Sequence, residues 1–389
     1  MSSAADCAFD TPAPRRSGDS FESLADRGAI ERVRVAGARG PGRREDVVLG
    51  RRLRRGPDSK FERRDPKAVY LSRPHLDPMP LRVTFLGTAG AIPTTERNPS
   101  GIFVSREGEG LLFDAGEGTQ RQMMRFGTGF SVSHLFVTHL HGDHVLGIPG
   151  LLQTMDFNDR EEPLAIHTPL GTRRKLKSLV NALDNDPAFP VRINEVGDGD
   201  VAYRADEYEI RVFGTDHDTR SVGYALVEDD RKGRFDRERA EELGVPVGPK
   251  FSQLHEGTPV ELEDGTVVEP EQVVGDPRPG RTIVYTGDTR PTAATLEVAD
   301  EPDLLIHDAT FAEDRADRAA KTAHATATQA AEIANRAGAK RLALMHISSR
   351  YAGHVEDHER EAGEVFDGDV LVPEDGQKLE IPYPDSDEE

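Results

Sequence analysis

Four potential metal ligands within six residues constrain this sequence more than any other feature. They are His139, His141, Asp143 and His144, in the order His-x-His-x-Asp-His. The apolar run 135–137 predicts a buried strand that ends just before them. Imidazoles suit Zn²⁺, and a carboxylate among several histidines favours a catalytic site over a closed structural one. A glycine inside the motif lets the chain turn, so its two halves can face two different metals. The alternative is a histidine-rich surface loop.

Three more potential ligands each follow a predicted strand. The strands are 207–213, 281–286 and 341–345, and the ligands after them are His217, Asp288 and His346. Taken singly, each has a plainer explanation, because a histidine after a strand is commonly a core or surface residue and an aspartate commonly a turn residue. Together with the motif they supply the donors that a two-metal hydrolase needs, with metals roughly 3.5–4 Å apart.

Several segments resemble the metallo-β-lactamase superfamily and, within it, the ribonuclease Z family of tRNA 3′-end endonucleases. The resemblance runs from Met79 to about Pro384 and rests on residues 82–94, 97–98, 112–120, 139–144, 217–224, 285–289 and 346–351. It implies an α/β (α+β) fold, a four-layer αββα sandwich. The pattern of short strands and helices alone supports only a layered α/β or α+β domain, with helices predicted at 118–126, 147–155 and 326–337.

The resemblance also implies a binuclear site with two Zn²⁺ per subunit, for which Mn²⁺ is an alternative. It assigns one ion to His139, His141 and His217, the other to Asp143, His144 and His346, with Asp288 as the bridge. A metal-activated hydroxide would cut precursor tRNA after the discriminator nucleotide, leaving a tRNA 3′-hydroxyl and a 5′-phosphorylated trailer. Asp143 is implied as the proton acceptor, and Asp114 as a residue that orients the metal histidines.

Two features distinguish ribonuclease Z from other hydrolases of the superfamily. Residues 243–249 (Leu-Gly-Val-Pro-Val-Gly-Pro) resemble the arm that grips the tRNA elbow. Residues 307–310 (His-Asp-Ala-Thr) and 324–326 (His-Ala-Thr) resemble the family motifs His-Glu-Ala-Thr and His-Ser-Thr. The resemblance makes His324 the general acid toward the departing ribose 3′-oxygen. The change from glutamate to aspartate leaves the role of Asp308 open.

Two other functions are compatible with these residues. One is a different hydrolase of the same fold, either a small-molecule phosphodiesterase or an arylsulfatase. The other is a metal-free RNA-binding scaffold, which the full ligand set argues against. A phosphate-binding loop at 86–90 is disfavoured because the segment lacks the Gly-Lys-Ser/Thr ending, so a tight turn between strands is expected there.

Composition indicates a chain adapted to high salt. The net charge is −21, the pI is near 5.1, and the 49 basic residues are 40 Arg and 9 Lys. Such an acid-rich, lysine-poor chain is typical of a prokaryotic halophile, and a generally acidic mesophilic protein is the alternative. A polyanionic partner needs local cations, and basic residues cluster at 173–177 and 231–239. Solvated helix faces are the plainer explanation of both clusters.

The chain divides into a tail, a body and a short acidic end. Residues 1–78 hold 17 basic against 12 acidic residues without apolar periodicity, so they are predicted to be disordered. They are either a basic RNA-binding extension or the product of a start assigned upstream of Met79. Residues 79–384 form the predicted metallo-β-lactamase domain, and 385–389 an acidic tail. Within the body, 228–275 is charged and turn-rich with little core character, and is predicted to be the inserted tRNA-binding arm.

The sequence predicts a cytoplasmic protein with no membrane partner. A single cysteine, Cys7, rules out an intramolecular disulfide. No apolar run approaches the ~20 residues that span a bilayer, and the N-terminus lacks a signal pattern. A homodimer is implied by the resemblance alone.

Overall fold

The computed structural model describes residues 81–384 apart from Asn185 and Ala299, so the expectations for 1–78 and 385–389 lie outside the described residues. Within that range the strands are β1 (Leu81–Gly87), β2 (Ala89–Gly90), β3 (Gly101–Arg106), β4 (Glu109–Phe113), β5 (His134–Phe136), β6 (Leu164–Pro169), β7 (Val191–Val196), β8 (Val201–Arg204), β9 (Tyr208–Gly214), β10 (Val222–Glu228), β11 (Val260–Glu261), β12 (Val267–Val268), β13 (Thr282–Tyr285), β14 (Leu304–Asp308), β15 (Arg341–Met345), β16 (Ile347–Ser348), β17 (Asp369–Leu371) and β18 (Lys378–Ile381). The helices are α1 (Thr119–Phe126), α2 (Gly142–Val145), α3 (Ile148–Phe157), α4 (Arg173–Val180), α5 (Arg237–Glu242), α6 (Pro249–His255), α7 (Ala293–Val298), α8 (Ala316–Thr322), α9 (Ala327–Arg336) and α10 (Glu356–Gly363).

Two seven-stranded mixed sheets form the body. The first has the order β18-β1-β3-β4-β5-β6-β7 and the second the order β17-β15-β14-β13-β10-β9-β8. In the first sheet β4, β5, β6 and β7 are parallel, and in the second β13, β14, β15 and β17 are parallel. The last strand, β18, returns to pair with β1.

Three apolar cores hold four layers together. Inward-facing side chains of both sheets meet in the first core, among them Phe85, Phe136, Ile210 and Ile306. The outer face of the first sheet packs under α1, α3 and α4, and the outer face of the second packs under α9 and α10. Burial on both faces explains why the central strands are continuously apolar rather than alternating. The four-layer αββα sandwich expected from the resemblance is confirmed.

Helix α9 shows how local sequence sets the limits of an element. The hydroxyl of Thr326 accepts from the backbone N–H of Gln329, whose side chain returns the contact to the Thr326 N–H. After the helix, Gly338 adopts φ 63°, a left-handed conformation that costs glycine little. The predicted helix at 326–337 is confirmed.

The insertion between β10 and β13 has a core of its own, so the expectation of little core character was wrong. Its buried side chains are Ala240, Val245, Leu254, Val260, Val268 and Val273. These residues are too far apart in sequence to show a helical or strand period. They meet only because α5, α6 and the β11–β12 hairpin fold on one another. The two legs that join the insertion to the body run antiparallel, bridged at Arg231–Arg278 and Phe235–Val274.

Two smaller expectations also have outcomes. Residues 86–90 comprise the end of β1, Thr88 and the two-residue β2, so the structure has neither the expected tight turn nor a phosphate loop there. Among the described residues, no helix combines the length and apolarity needed to cross a membrane.

Candidate metal centre

The ligand motif lies at the carboxyl end of β5, where the chain leaves the first sheet and enters α2. The backbone N–H and hydroxyl of Thr138 donate to the two oxygens of Asp114 at 2.7 and 2.8 Å, which fixes the start of the loop. His139 and His144 are fully buried, whereas His141 is partly exposed. The Asp114 carboxylate, which follows the neighbouring strand, thus fixes a short loop that brings four donors together at the edge of the first sheet.

The second sheet supplies the remaining candidates from the ends of three strands that run in the same direction. His217 follows β9, Asp288 follows β13 and His346 follows β15. The backbone is left-handed at His346, with φ 63°, and at Gly287, with φ 61°. An added Cβ at Gly287 would stand 2.7 Å from the Cβ of Thr138, so only glycine allows the two sheets to approach this closely.

The seven predicted ligands fall into two groups that share Asp288. In each group the ligand atoms lie within 4.8 Å of one another: His139, His141, His217 and Asp288 in one, and Asp143, His144, Asp288 and His346 in the other. The Nδ1 atom of His141 is 3.0 Å from His139 Nε2 and 3.2 Å from His217 Nε2. In the second group, His346 Nε2 is 3.1 Å from Asp143 Oδ2 and 3.2 Å from Asp288 Oδ2. Each group supplies the donors that one site of the predicted pair would need, and the assignment of metals to them stays a prediction.

Unsatisfied polar atoms show that this donor set fits metal ions. His144 Nε2 and Asp288 Oδ1 are buried and lie 3.2 Å apart, and neither has a hydrogen bond of good geometry among the described residues. Buried polar atoms rarely lack partners, and a cation between them would satisfy both. Nitrogen donors with shared carboxylates are the set that Zn²⁺ takes in catalytic sites.

The electrostatics of the centre favour positive charge. Burial alone would raise the pKa of Asp288, but the neighbouring His346, His144 and His139 hold that pKa well below its usual value. Burial also opposes charge on His144, yet Asp288 and Asp114 outweigh it and raise the pKa of this imidazole well above its usual value. At His139, burial and the nearby His144 lower the pKa. Carboxylates that stabilise an imidazolium here would stabilise a divalent cation in the same place.

Hydrogen bonds to the ring nitrogen that faces away from the cluster orient two of the ligand histidines. Asp114 Oδ2 accepts from Nδ1 of His144 at 2.8 Å, and the Ala323 carbonyl accepts from Nδ1 of His217 at 2.9 Å. Both contacts leave Nε2 directed into the cluster, as is common behind metal-bound histidines. Asp114 therefore holds the position that the resemblance implied.

Two hydroxyl groups in this supporting layer were missed by sequence reasoning. Thr138 Oγ1 lies 3.0 Å from His139 Nδ1, and Thr310 Oγ1 lies 2.8 Å from His346 Nδ1. Thr138 directly precedes the metal motif and Thr310 ends the His-Asp-Ala-Thr motif, so position beside a motif is the signal that could have found them.

Asp308, whose role the sequence left open, contacts His324. His324 Nδ1 is 2.7 Å from Asp308 Oδ2. The other carboxylate oxygen accepts from the backbone N–H and the hydroxyl of Thr310, at 2.8 and 2.7 Å, and Oδ2 also accepts from the Thr289 N–H. Although Asp308 belongs to a third cluster with potential ligand geometry, these bonds occupy both of its oxygens. Its aspartate chain is long enough to hold His324.

His324 carries the charge state of an acid at neutral pH. Burial opposes its protonation, but the Asp308 carboxylate outweighs burial and raises the pKa of His324 to about 9. Its ring stacks on that of His346, with centroids 5.0 Å apart. A protonated imidazole therefore stands directly beside the predicted metal ligands.

One open cavity of about 370 Å³ exposes this centre. Its lining comprises Ala91, Pro93, Pro99, Glu117, His141, Gly142, Asp143, Leu146, Asp288, His324 and His346. Ile92 and Leu146 have exposed side chains at 61% and 54% of their surface, and Leu146 belongs to the cavity wall. A bulky substrate can therefore reach the ligands and His324 from the same side.

Known proteins with this fold define the class. A model of the beta-lactamase superfamily domain matches residues 258–347, and a model of anti-Pycsar protein Apyc1 matches residues 81–231. With the two-sheet sandwich and the ligand cluster, these matches place the chain among the metal-dependent hydrolases of metallo-β-lactamase fold.

Sequence relatives identify the family. A ribonuclease Z of Natronomonas pharaonis is 69% identical over 307 residues, which are 79% of this chain and all of the relative. One from Halorubrum lacusprofundi is 66% identical over 310 residues, 80% of this chain and all of the relative. The crystal structure of the short form of human tRNase Z matches with a TM-score of 0.57 at 26% identity, over 78% of this chain and all of that one. The chain belongs to the ribonuclease Z family, and its relatives from halophilic archaea agree with the salt adaptation read from its composition.

Proposed function

We propose that this protein removes the 3′ trailer from tRNA precursors by a single endonucleolytic cut after the discriminator nucleotide. Its near-complete alignment with archaeal ribonucleases Z supports this function. The structural observation that carries it is one cavity whose lining brings four predicted metal ligands, His141, Asp143, Asp288 and His346, together with His324. The products are a tRNA with a 3′-hydroxyl and a trailer with a 5′-phosphate.

Two Zn²⁺ ions per subunit are the proposed cofactors, with Mn²⁺ as a substitute. His139, His141 and His217 would hold one ion and Asp143, His144 and His346 the other, with Asp288 available to both. The two groups of donors, each within 4.8 Å, support this division. When bound, the ions supply Lewis-acid activation of a water and neutralise charge on the phosphoryl oxygens.

Three side chains donate, accept or hold the protons of the reaction. His324 donates a proton to the ribose 3′-oxygen as its bond to phosphorus breaks, which yields the 3′-hydroxyl on the tRNA. Asp308 keeps the imidazole protonated and oriented through the 2.7 Å contact. Asp143 accepts the proton of the attacking water. Its Oδ2 atom also accepts a hydrogen bond from the Ala91 N–H at 2.7 Å, which fixes this carboxylate to the cavity wall.

The insertion, predicted at 228–275, is the proposed tRNA-binding arm. A small independent core and a two-legged attachment make it a preformed unit rather than a loose loop. A homodimer and a cytoplasmic location complete the proposal, and sedimentation of the purified protein in high salt would test the dimer.

Cleavage of a 3′-extended precursor tRNA in high salt, with both new ends mapped to the nucleotide, tests the function. A single cut after the discriminator, leaving a 3′-hydroxyl, is expected. Replacing residues 232–277 by a short linker should abolish this cut and preserve hydrolysis of bis(p-nitrophenyl) phosphate. Small-diester hydrolysis without any precursor cleavage by the wild type would instead favour a small-molecule phosphodiesterase.

A further inference from the structure

A second and larger cavity lies between α4 and the edge strand β7. Its volume is about 740 Å³, in the range of ligand-binding clefts. An apolar floor, which includes Val180, Phe189 and Ile193, carries three cations: Arg173, Lys177 and Arg192. We call this cavity the α4–β7 groove.

One of the three cations of the groove contacts the fold, and the other two are exposed. Arg173 donates to the carbonyl of Ile193 across the groove. Lys177 and Arg192 are exposed, and neither forms an ion pair with a carboxylate in the described part of the chain. Residues 79–389 contain 58 acidic against 32 basic residues, so acidic partners are abundant. Asp186 is the one acidic side chain of the lining.

The groove adjoins the edge of the sheet that carries the metal motif. Strands β5, β6 and β7 are parallel neighbours, so the metal loop after β5 and the start of α4 after β6 lie at the same edge. Neighbouring strands are about 4.8 Å apart, which puts β7 about 10 Å from β5 across the sheet. The groove extends from Arg173 at this edge toward the opposite edge, because Arg192 is in register with Ala165 and, through it, with His134, about 16 Å along the sheet from His139. Arg220, in the loop of ligand His217, donates to the Leu170 carbonyl at 3.1 Å and so joins that loop to the β6–α4 connection.

We propose that the α4–β7 groove binds the single-stranded 3′ trailer of the precursor RNA through its phosphates. The proposal rests on the proposed function of the metal centre. A positively charged groove that follows the backbone is the usual device for single strands.

Two double variants separate this role from a general charge effect. Lys177→Gln with Arg192→Gln removes two cations of the groove. Arg174→Gln with Lys175→Gln removes two exposed cations of the same helix that do not line it. Each is assayed with a precursor that has a long single-stranded trailer and with one that has a single trailing nucleotide.

Loss of the groove cations should raise KM for the long-trailer precursor roughly tenfold. The logarithm of the affinity should also fall less steeply with the logarithm of the salt concentration, by about 1.4 in slope, because two phosphate contacts are lost. The KM for the precursor with a single trailing nucleotide should stay unchanged, and so should hydrolysis of bis(p-nitrophenyl) phosphate. In the control variant, the KM values for both precursors should equal those of the wild type. An equal rise for both precursors would place the contact on the tRNA body and overturn the proposal. So would an unchanged KM, or an equal effect in the control pair.

Binding of a fluorescently labelled single-stranded RNA to the intact protein provides a readout that does not need cleavage. If the wild type cuts no precursor, the proposed function fails. The groove proposal then survives only if this RNA binds the wild type about tenfold more tightly than the Lys177→Gln, Arg192→Gln variant. Equal affinities would reject it.

Discussion

Arg281 and Glu228 form a buried, two-pronged ion pair at the root of the inserted arm. Nε and Nη2 of the arginine each lie 2.7 Å from a different oxygen of the carboxylate. Arg106 from the first sheet also donates to Glu228 at 2.7 Å, and Arg281 donates to the carbonyl of Ile381 at 3.1 Å. One carboxylate therefore ties both sheets to the two chain segments from which the arm departs.

Replacing Glu228 by glutamine should lower the free energy of unfolding by about 3 kcal/mol, because the buried Arg281 loses its carboxylate partner and Arg106 keeps only the more exposed Glu207 and Glu107. Chemical denaturation in high salt measures this loss. Glu107→Gln is the control, since Glu107 is largely solvated and lies 3.5 Å from Arg106, and it should change stability by less than about 1 kcal/mol. Equal effects of the two variants would show that the buried network is not what stabilises the arm root.

His324→Asn should lower kcat for precursor tRNA by roughly 10²–10⁴-fold, the usual contribution of a positioned acid. Metal content should stay at the wild-type level, because His324 is not among the seven predicted ligands. Asp308→Asn should give a smaller loss, since the imidazole stays in place but loses the charge that keeps it protonated. His354→Asn, at an exposed histidine, is the control. A kcat within a factor of two of wild type for His324→Asn would remove this residue from the reaction.

Asp288→Asn should remove at least one metal equivalent and abolish cleavage, because Asp288 is the donor that the two groups share. Elemental analysis and precursor cleavage, compared with chelator-treated wild type, measure both effects. Asp216→Asn, in the neighbouring loop and paired with Arg290 at 3.1 Å, should keep its metals. Full metal content in Asp288→Asn would contradict the bridging assignment.

Stability should depend on pH through His358, a fully buried residue of α10. Burial lowers its pKa to about 4, so the unfolded chain binds a proton that the folded chain does not between pH 6.5 and 4. The stabilising effect of a neutral His358 is complete above pH 6.5 and is lost as the pH falls toward 4. His358→Phe keeps a ring against Tyr351, 4.7 Å away, without this titration.

The difference in unfolding free energy between wild type and His358→Phe should therefore shift against the wild type by up to about 3 kcal/mol from pH 7 to pH 4. Urea denaturation of both proteins across this range measures this difference, in which the contributions of all other titrating groups cancel. A difference that does not vary with pH would show that His358 is protonated equally in both states.

Sequence reasoning located the predicted ligands because each follows an apolar run that can be recognised as a strand. His217, Asp288 and His346 needed no knowledge of the tertiary structure beyond the expectation that strand ends meet. The hydroxyl of Tyr285 could not be found in this way, since it donates at 2.9 Å to Asp114, a residue 171 positions away. Its role depends on which strands of the two sheets face each other.

Two other features also depend on tertiary structure alone. The small core of the insertion arises from single apolar residues such as Val245 and Leu254, whose spacing has no period. The α4–β7 groove exists because β7 is an edge strand, which leaves Arg192 beside Lys177 without a further strand to cover them. Neither strand order nor sparse packing can be read from local sequence.

The order of the ligands along the chain makes activity a late event in synthesis. The first four donors are complete by His144, but they have no counterpart until β15 has formed and presents His346. The first sheet itself closes only when β18 pairs with β1, near the end of the chain. A nascent chain that stops short of His346 therefore carries an incomplete donor set, and cleavage of RNA has to wait until β15 and the residue after it have been made.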